Sequence, residues 1–237
     1  MRFSETLRSW FDRHEDVPVR VECRSCIFLI TSAIRVSETA LSYTTTRSTY
    51  SAHERMAQTL RTIRSVRNRA PDSLIVLLEI SEVCAREMET LRSAVDWFVS
   101  LCGDPGAVAL RDGPFKGAAE IYMLLWVLPV LRYFDYVKVF KLSGRYQLSE
   151  RFDVQRFPDD KLGFLLREGS YSTRLYSVPK TLERLYRQQL RKAFRAATRG
   201  DSIEAVIMRG VPSEKIELLP YLGVCGHIAV NGDYIDE

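Results

Sequence analysis

The chain has 237 residues, of which 46% are hydrophobic and 27% are charged. This composition excludes a disordered or fibrous protein and suits one α/β domain with a sizeable core. The net charge of +4 is compatible with phosphate-bearing ligands or with peripheral contact with an anionic membrane surface. It is too small to predict a nucleic-acid partner.

The cysteine content favours a reducing compartment. An odd number of cysteines in a chain long enough to fold without disulfides is typical of an intracellular protein, so we expect a cytoplasmic location. Cys23 and Cys26 form a C-x-x-C motif, but no second pair completes a zinc site. The motif also leads into a predicted strand, whereas a thioredoxin-like site opens a helix. The five positions are Cys23, Cys26, Cys84, Cys102 and Cys225.

No segment predicts a membrane crossing. The longest apolar run, residues 121–131, is shorter than the roughly 20 residues that a transmembrane helix needs, and Pro129 interrupts it. Residues 1–21 carry charges on both sides of Trp10 and Phe11 and lack the long apolar region of a secretory signal. We expect them to form an amphipathic arm on a domain that spans residues 22–237.

The first predicted elements are a strand and a helix. Residues 27–31 are continuously apolar and give way to small polar residues at Ser32, which is typical of a strand buried on both faces. A Ser- and Thr-rich loop, residues 35–50, follows. Ser51 and Glu54 then have the spacing of a capping box, which predicts the start of an amphipathic helix.

A second buried strand completes a β-α-β unit. Pro71 ends the helix, and residues 74–78 form an apolar run that finishes at Glu79. Two strands joined through a helix are expected to be parallel, with a right-handed crossover. The carboxyl ends of both strands should therefore lie at one edge of a sheet.

The central part of the chain predicts further alternation of helices and strands. Apolar spacing predicts a helix over residues 82–101 and a short third strand at residues 108–110. Residues 116–128 predict an apolar core helix. Residues 136–142 are rich in β-branched and aromatic side chains, which favours another strand.

The last third predicts a smaller β/α portion. Short strands are expected at residues 163–167 and 173–178, and an amphipathic helix at residues 181–198. Residues 203–208 either continue that helix or begin another. Asn231-Gly232 predicts a hairpin-like turn near the end. The order of elements predicts an α/β fold with a mostly parallel central sheet and helices on both faces.

The most informative segment lies at the end of the strand over residues 136–142. Gly144 would let the backbone approach a ligand, and Lys141 and Arg145 flank it with a point charge and a planar guanidinium. This combination is typical of an anion site. The alternative is a tight turn in which Arg145 pairs with Glu150 or Asp153.

Other polar residues are expected at the same edge of the sheet. In an open α/β sheet, ligands bind beyond the carboxyl ends of the strands. The residues expected there come from the strand ends, from the loop after the first strand and from the first turn of its helix; they are Thr31, Ser32, Arg47, Ser48, Arg55 and Glu79.

Several catalytic classes are excluded by missing motifs. The sequence has no G-x-S-x-G elbow, no Walker A loop, no G-x-G-x-x-G and no H-E-x-x-H. Only three histidines are present, His14, His53 and His227, and none has the surroundings of a catalytic triad.

Five segments together carry a resemblance to a known family. They are Arg47-Ser48-x-Tyr50; Glu54-Arg55-x-x-Gln58-Thr59-Leu60-x-Thr62-Ile63-x-Ser65-Val66-Arg67; Glu79-x-Ser81; Lys116-Gly117-x-x-Glu120; and Phe140-Lys141-x-Ser143-Gly144-Arg145-Tyr146. The set resembles small GT-A-type glycosyltransferases of surface-polysaccharide loci and large-virus genomes, and it is similar to the WavE-type lipopolysaccharide-synthesis proteins. The resemblance covers roughly residues 25–230.

The resemblance implies a GT-A-like fold and a hexosyl- or pentosyltransferase that moves a sugar from a nucleotide-diphosphate sugar to a saccharide or glycan acceptor. Residues 22–148 would bind the donor, and residues 149–237 would contact the acceptor. The donor-binding residues that it implies are Thr31, Ser32, Arg47, Ser48, Arg55, Glu79, Lys116, Lys141, Ser143, Gly144 and Tyr146.

One feature departs from the family pattern. Typical GT-A enzymes hold a divalent cation with an Asp-x-Asp motif, and this sequence has none, so we predict no metal ligands and no certain cofactor. Lys141 and Arg145 are expected to neutralise the leaving diphosphate instead. A non-catalytic nucleotide- or carbohydrate-binding module on the same fold would also lack the motif and is the alternative. A nucleotidyltransferase is disfavoured by the missing acidic pair.

The catalytic base is not singled out by the sequence. An inverting transfer needs a carboxylate that takes the proton of the acceptor hydroxyl, and Glu79, Glu120, Asp153 and Glu204 are available. We take Glu120 and Glu204, together with Arg145, as the catalytic candidates. Glu120 lies near the start of a helix, where a carboxylate is also expected for structural reasons.

Overall fold

The computed structural model describes residues 26–237. The predicted arm over residues 1–21 and Cys23 of the C-x-x-C motif lie outside the described residues. Within the described part, Cys84, Cys102 and Cys225 carry free thiols.

A parallel β-α-β unit forms the centre of the fold, as predicted. Strand β1, Cys26–Ser32, is buried along its whole length, and it pairs in parallel with β2, Leu74–Glu79. Helix α1, Ala52–Arg69, connects them and begins with the capping box predicted at Ser51 and Glu54. The carboxyl ends of β1 and β2 therefore meet at one edge, with Ser32 beside Glu79.

The helix predicted over residues 82–101 is wrong in its second half. Helix α2 spans only Ala85–Ala94, and Trp97–Ser100 form strand β3, parallel to β2. Trp97 and Val99 are buried while their neighbours are partly exposed, the alternation of a strand that has one face on the core. The Asp96 carboxylate also accepts the backbone N–H of Ile75 at 2.7 Å, which fixes the chain beside β2.

The short strand predicted at residues 108–110 is also wrong. These residues belong to helix α3, Pro105–Asp112. The Asp104 carboxylate accepts the backbone N–H groups of Gly106 and Ala107, and proline occupies the first helical position, where its missing N–H costs nothing. A short apolar run is compatible with either a strand or a helix, and here the Asp104 cap favours the helix.

The remaining predicted helices are present. Helix α4 spans Lys116–Leu131 and continues through Pro129, and α5 spans Glu183–Ala197. A separate short helix, α6, Ile203–Val206, follows after Gly200, which adopts a positive φ of 101°. Within residues 26–237, no helix combines the length and the apolar character needed to cross a bilayer.

The strands of the second half extend the sheet and add two small ones. Strand β4, Lys138–Ser143, lies on the other side of β1 and is parallel to it. The central sheet has seven strands in the order β10-β6-β9-β4-β1-β2-β3, with β9 antiparallel to β4 and to β6. A three-stranded antiparallel sheet has the order β12-β11-β5, and β7 pairs with β8. The bounds are β5 Tyr146–Leu148, β6 Leu162–Phe164, β7 Leu166–Arg167, β8 Ser170–Tyr171, β9 Leu175–Pro179, β10 Ile216–Leu218, β11 Val224–His227 and β12 Tyr234–Asp236.

Hydrophobic cores lie on both faces of the central sheet. Alternate residues of β1 point to opposite faces: Ile27 and Leu29 pack with the α4 and α5 side, and Phe28 and Ile30 pack with the α1 side. The Phe28 ring stacks on Phe140 of β4, with centroids 4.7 Å apart. The predicted α/β class, with a mostly parallel central sheet covered by helices on both faces, is confirmed.

Candidate functional site

Two adjoining cavities lie at the carboxyl edge of β1 and β4, where ligands of open α/β sheets bind. The inner cavity, of about 620 Å³ including its open mouth, lies beside the ends of β1 and β4 and the start of α4. The outer cleft, of about 1650 Å³ including open solvent at its entrance, extends from there to the turn between α5 and α6. Four residues line both cavities and form what we call the shared wall: Lys116, Glu120, Ser143 and Arg145.

Arg145 lies on the shared wall without a partner of opposite charge. Its guanidinium forms no ion pair or hydrogen bond among residues 26–237, and its Nε is buried with no acceptor. The alternative in which Arg145 pairs with an acid of the following turn is wrong. Glu150 lies 3.5 Å from Arg69, and Asp153 lies 3.9 Å from Arg156. A buried N–H donor with no acceptor is costly unless a ligand supplies one.

Lys116 is the first residue of α4, and its ammonium lies close enough to Arg145 to be repelled by the positive charge of that side chain. It forms no hydrogen bond or ion pair within the described part of the chain. The positive charge of Arg145, burial and the positive charge of Arg55 lower the pKa of Lys116 well below its usual value, although Glu120 and Glu204 act in the opposite direction. The charged lysine is therefore destabilised in the ligand-free protein, and a bound anion would relieve this.

Arg55 comes from the first turn of α1 and lies on the floor of the inner cavity, with 5% of its surface exposed. Its Nε donates to the Ala33 carbonyl at 2.7 Å, and its Nη1 donates to Ser48 Oγ at 3.1 Å. These acceptors are neutral, so the charge has no carboxylate partner in the described structure. Burial and the nearby charge of Arg145 lower the pKa of Arg55 to about 9.

Arg47 lines the inner cavity but is held by backbone carbonyls. Its Nη1 donates to the carbonyl of Thr39 at 2.9 Å, and its Nη2 donates to Gly113 at 2.6 Å and to Arg111. These contacts tie the loop after β1 to the end of α3. The geometry assigns Arg47 first to holding this loop.

Lys141 does not reach either cavity, in contrast to the expectation that it contacts a diphosphate. Only 1% of its surface is exposed, and its Nζ donates to Ser143 Oγ at 2.8 Å and to the Thr173 carbonyl at 2.6 Å. Nζ also lies 2.6 Å from Glu120 Oε1, an ion pair whose direction falls outside hydrogen-bond geometry. The Lys141 ammonium is therefore neutralised by Glu120 and hydrogen-bonded within the fold, and it is not available to a ligand.

Gly144 is required by packing of the chain, and it does not line either cavity. Its N–H donates to the Thr31 carbonyl at 2.9 Å, and a Cβ at this position would lie 3.0 Å from the same oxygen and 3.4 Å from Ser32 Cβ. The turn between β4 and β5 therefore packs tightly against the end of β1, and a side chain here would push the two apart by a few tenths of an ångström. Gly144 therefore helps to position the next residue, Arg145, and it is the Arg145 side chain that is exposed to a ligand.

Glu79 fixes the start of the loop after β1 through hydrogen bonds. It is fully buried, and its Oε1 accepts the N–H of Ile34 at 3.0 Å, the N–H of Ser81 at 2.8 Å and the Ser81 hydroxyl. It lines neither cavity. Of the other predicted donor-binding residues at this edge, Thr31 and Ser32 line the inner cavity, whereas Ser48 lies behind it as a partner of Arg55.

Two carboxylates face the outer cleft in different surroundings. Glu120 is tied to buried Lys141, as described. Glu204, in α6, accepts the Thr173 hydroxyl at 3.1 Å and the Ser202 hydroxyl at 2.7 Å and has no ion pair in the described structure. Tyr146 also lines this cleft, and the guanidinium carbons of Arg145 and Arg174 lie 6.0 Å and 5.6 Å from the centroid of its ring.

The sequence reasoning missed several residues that line the cavities. Arg111 lies in helix α3 and lines the inner cavity. It was missed because the sequence pattern predicted a strand at residues 108–110. Tyr43, Arg174 and Ser202 line the outer cleft from loops that carry no motif. A correct prediction of the Asp104 cap would have placed Arg111; no pattern in the sequence marks the other three.

The acidic side chains do not form a metal site within the part of the chain that the structure describes. Among residues 26–237, no three His, Cys, Asp or Glu side chains come close enough together to hold a metal ion. The inner cavity is lined by one carboxylate, Glu120, and by five basic side chains: Arg47, Arg55, Arg111, Lys116 and Arg145. Its donor set therefore suits an anion.

Comparison with known proteins finds similarity only at the level of structure. No family model matches the sequence, and no curated protein matches it. The glycosyltransferase GlyE of Streptococcus pneumoniae TIGR4 is similar over 84% of this chain and 46% of its own, with 11% identity and a TM-score of 0.48. Mouse xyloside xylosyltransferase 1 is similar over 84% of this chain and 85% of its own, with 10% identity and a TM-score of 0.41.

A third similar structure is a nucleotide-diphospho-sugar transferase, so named provisionally, from Desulfovibrio desulfuricans G20. It covers 84% of this chain and 80% of its own, with 10% identity and a TM-score of 0.45. The chain spans less than half the length of GlyE. At these identities and TM-scores, the likeness does not establish a shared activity, so the function has to be inferred from the site.

Proposed function

We propose that the protein is a glycosyltransferase that uses a nucleotide-diphosphate sugar and binds its diphosphate between Arg55, Lys116 and Arg145. The observation that carries this proposal is that these three cations converge on the inner cavity and its shared wall with no carboxylate bound to any of them. Lys116 and Arg145 have no hydrogen-bond or ion-pair partner in the described structure, and Arg55 beside them donates only to neutral oxygens. This arrangement calls for a ligand with several negative charges. A diphosphate satisfies this requirement at the edge of the sheet where nucleotides bind.

The chemistry follows from where charge develops during transfer. When the bond between sugar and diphosphate breaks, the leaving diphosphate gains negative charge, and cations already fixed in place stabilise that charge without rearrangement. Arg145 has a planar guanidinium with two parallel N–H donors, so it can bind two phosphate oxygens at once. These side chains would serve where other enzymes use a divalent cation, and the reaction would then proceed without one.

The outer cleft is the proposed place of the sugar and the acceptor. It adjoins the shared wall, and its volume of about 1650 Å³ exceeds that of the inner cavity. Residues from both parts of the chain line it, including Tyr43 and Glu204. By contrast, every described residue that lines the inner cavity falls between Thr31 and Arg145. This supports a donor half, residues 22–148, with the acceptor half, residues 149–237, contributing to the outer cleft.

Glu204 is the better candidate for the catalytic base. Its hydrogen bonds come from two hydroxyl groups, so its carboxylate can accept a proton from an acceptor hydroxyl in the cleft without breaking an ion pair. Glu120 lies 2.6 Å from a lysine that is almost fully buried, and protonating it would leave that cation unpaired. We expect Glu204→Gln to lose turnover with an unchanged melting temperature, and Glu120→Gln to lose stability.

The finer classification rests on the sequence resemblance alone. The motifs from Arg47-Ser48 to Ser143-Gly144-Arg145-Tyr146 are similar to those of WavE-type and large-virus glycosyltransferases, and they are compatible with a hexosyl- or a pentosyltransferase in polysaccharide biosynthesis. The alternative is a module of the same fold that binds a nucleotide or a carbohydrate without catalysis. The two differ in turnover and share the binding site.

The test is a thermal-shift screen followed by a transfer assay. A ligand that binds the native state raises the melting temperature, so nucleoside diphosphates and their sugars should raise it while nucleosides and free sugars should not. Arg151→Gln removes a half-exposed arginine that lines neither cavity, and as a control it should show the same shifts as the wild type. Failure of every nucleoside diphosphate to stabilise the protein would refute the proposal. Binding without transfer or donor hydrolysis would favour the non-catalytic module.

A further inference from the structure

The outer face of helix α5 carries an unusual concentration of positive charge. Arg184, Arg187, Arg191, Lys192 and Arg195 fall within an arc on the order of 140° of the helix surface, given 100° per residue. Arg199 extends the same arc in the turn that follows. We call these six residues the basic stripe.

No acidic side chain of residues 26–237 pairs with the basic stripe. None of its six side chains forms a hydrogen bond or an ion pair with residues of the described structure. The only carboxylate of α5 is that of Glu183, and it accepts the Tyr136 hydroxyl at 2.6 Å. The stripe carries more positive charge than the net +4 of the whole chain, so the basic character of the protein is concentrated on this one face.

The shape of the stripe indicates the kind of partner. The opposite face of α5, with Tyr186, Leu190 and Ala193, is buried in the core, so the stripe lies along a convex surface about 22 Å long. Gln188 lies between these cations on the same face, and none of the six stripe residues has an aromatic ring on which a base or a sugar could stack. Such a face suits an extended surface that carries many negative charges. It suits less well a partner that needs a groove or specific hydrogen bonds.

We propose that the basic stripe docks the protein on the surface of a membrane that contains anionic lipids. The contact is electrostatic, because the apolar face of α5 is used by the core, and clusters of four to eight cations bind anionic bilayers in this way. Ala197 and Gly200, at the end of the helix, line the outer cleft. Docking would therefore place the rim of the cleft beside the lipid surface. The proposal stands independently of the reaction proposed for the cleft.

The test is flotation of the full chain with vesicles of phosphatidylcholine, with and without phosphatidylglycerol. The variant Arg184→Gln/Arg191→Gln/Arg195→Gln removes three charges of the stripe. The matched control, Arg61→Gln/Arg64→Gln/Arg86→Gln, removes three charges from exposed arginines of α1 and α2. Both variants change the net charge equally, and their melting temperatures show that each is folded.

We expect the wild type to bind vesicles only when phosphatidylglycerol is present and to be released by high salt, which shortens the range of the attraction. The stripe variant should lose on the order of 100-fold in vesicle affinity, and the control should stay within a few-fold of the wild type. Absence of binding by the wild type, equal loss in both variants, or binding of duplex DNA or heparin in place of vesicles would each overturn the proposal.

Discussion

Two groups of basic side chains lie at the same edge of the central sheet, and they differ in whether the protein itself satisfies their charge. Arg47 and Lys141 are surrounded by backbone carbonyls and, for Lys141, by a carboxylate. Lys116 and Arg145 have no such partner among residues 26–237. The first group holds the walls of the site together, and the second is left open to a ligand. A positive charge near a cavity is therefore evidence for binding only when the fold leaves it unpaired.

The largest expected effect concerns the satisfied group. Lys141→Met removes a buried cation and leaves Glu120 without its partner, which we expect to lower the free energy of unfolding by about 3 kcal/mol. For a chain of this length the melting temperature should fall by roughly 6–12 °C. The affinity of the folded fraction for a nucleoside diphosphate, measured by titration calorimetry, should stay within a few-fold of the wild type. If the variant has normal stability and binds no ligand, Lys141 contacts the ligand and belongs with Lys116 and Arg145.

Arg145→Lys tests the open group at constant charge. A point charge cannot reproduce the two parallel N–H donors of a guanidinium, so donor binding should persist while the turnover rate falls on the order of 100- to 1000-fold. The melting temperature should hardly change, because no hydrogen bond of the guanidinium within the described structure is lost. Single-turnover transfer and thermal denaturation on one preparation measure both, with Arg151→Lys as the control. Wild-type turnover in the variant would show that Arg145 does not contact the leaving group.

Arg47→Ala is expected to act through the loop. Removing the guanidinium leaves three carbonyls without their donor, a loss of about 1–3 kcal/mol in the free energy of unfolding. Donor affinity should fall several-fold, because the loop after β1 forms part of the cavity wall. Arg47→Lys should recover part of the lost stability and part of the lost affinity. Thermal denaturation and calorimetric titration provide the two readouts. A large loss of affinity at unchanged melting temperature would mean that Arg47 contacts the ligand directly.

Per pH unit, the pH dependence gives the smallest expected effect. The folded pKa of Lys116 is lowered, so between that pKa and the ordinary value near 10.5 the unfolded chain binds a proton that the native state lacks. The stability of the ligand-free protein should therefore rise with pH across this window, by at most about 1.4 kcal/mol per pH unit from this residue.

The same shift predicts the opposite trend for ligand affinity. A diphosphate prefers the protonated lysine, so its affinity should fall as the pH rises through the lowered pKa of Lys116. Lys116→Met should flatten both profiles in denaturation and titration experiments performed across the window. Profiles that coincide with those of the wild type would show that Lys116 does not titrate beside the ligand.

The central β-α-β unit could be predicted because each of its signals is local. An unbroken apolar run marks β1, and the Ser51 and Glu54 spacing marks the start of α1. Strand β3 could not be separated from a helix, because its alternation spans only four residues and its place beside β2 depends on Asp96 and on distant pairing. Helix α3 was predictable from Asp104, whose cap outweighs the apolar run that follows it.

The site could be predicted in part. The sequence indicated Arg145 and the edge of the sheet where it lies, but Lys141 and Arg145 flank the same glycine and look alike as cations. What separates them is three-dimensional: Lys141 points from the strand toward Glu120 of α4, whereas Arg145 comes from the turn beyond the strand. Pairing with a residue on another helix leaves no trace in the local pattern.

The role of the unpaired cations is tested most directly by the affinity for a nucleoside diphosphate in the presence of a chelator. We predict that uridine, guanosine, cytidine or adenosine diphosphate, whichever binds best, has an affinity in EDTA within a few-fold of its affinity in Mn²⁺. We also predict that Lys116→Met/Arg145→Gln abolishes this binding while Arg151→Gln preserves it. Binding that requires Mn²⁺, or a double variant that binds as the wild type does, would contradict the claim that unpaired cations hold the diphosphate.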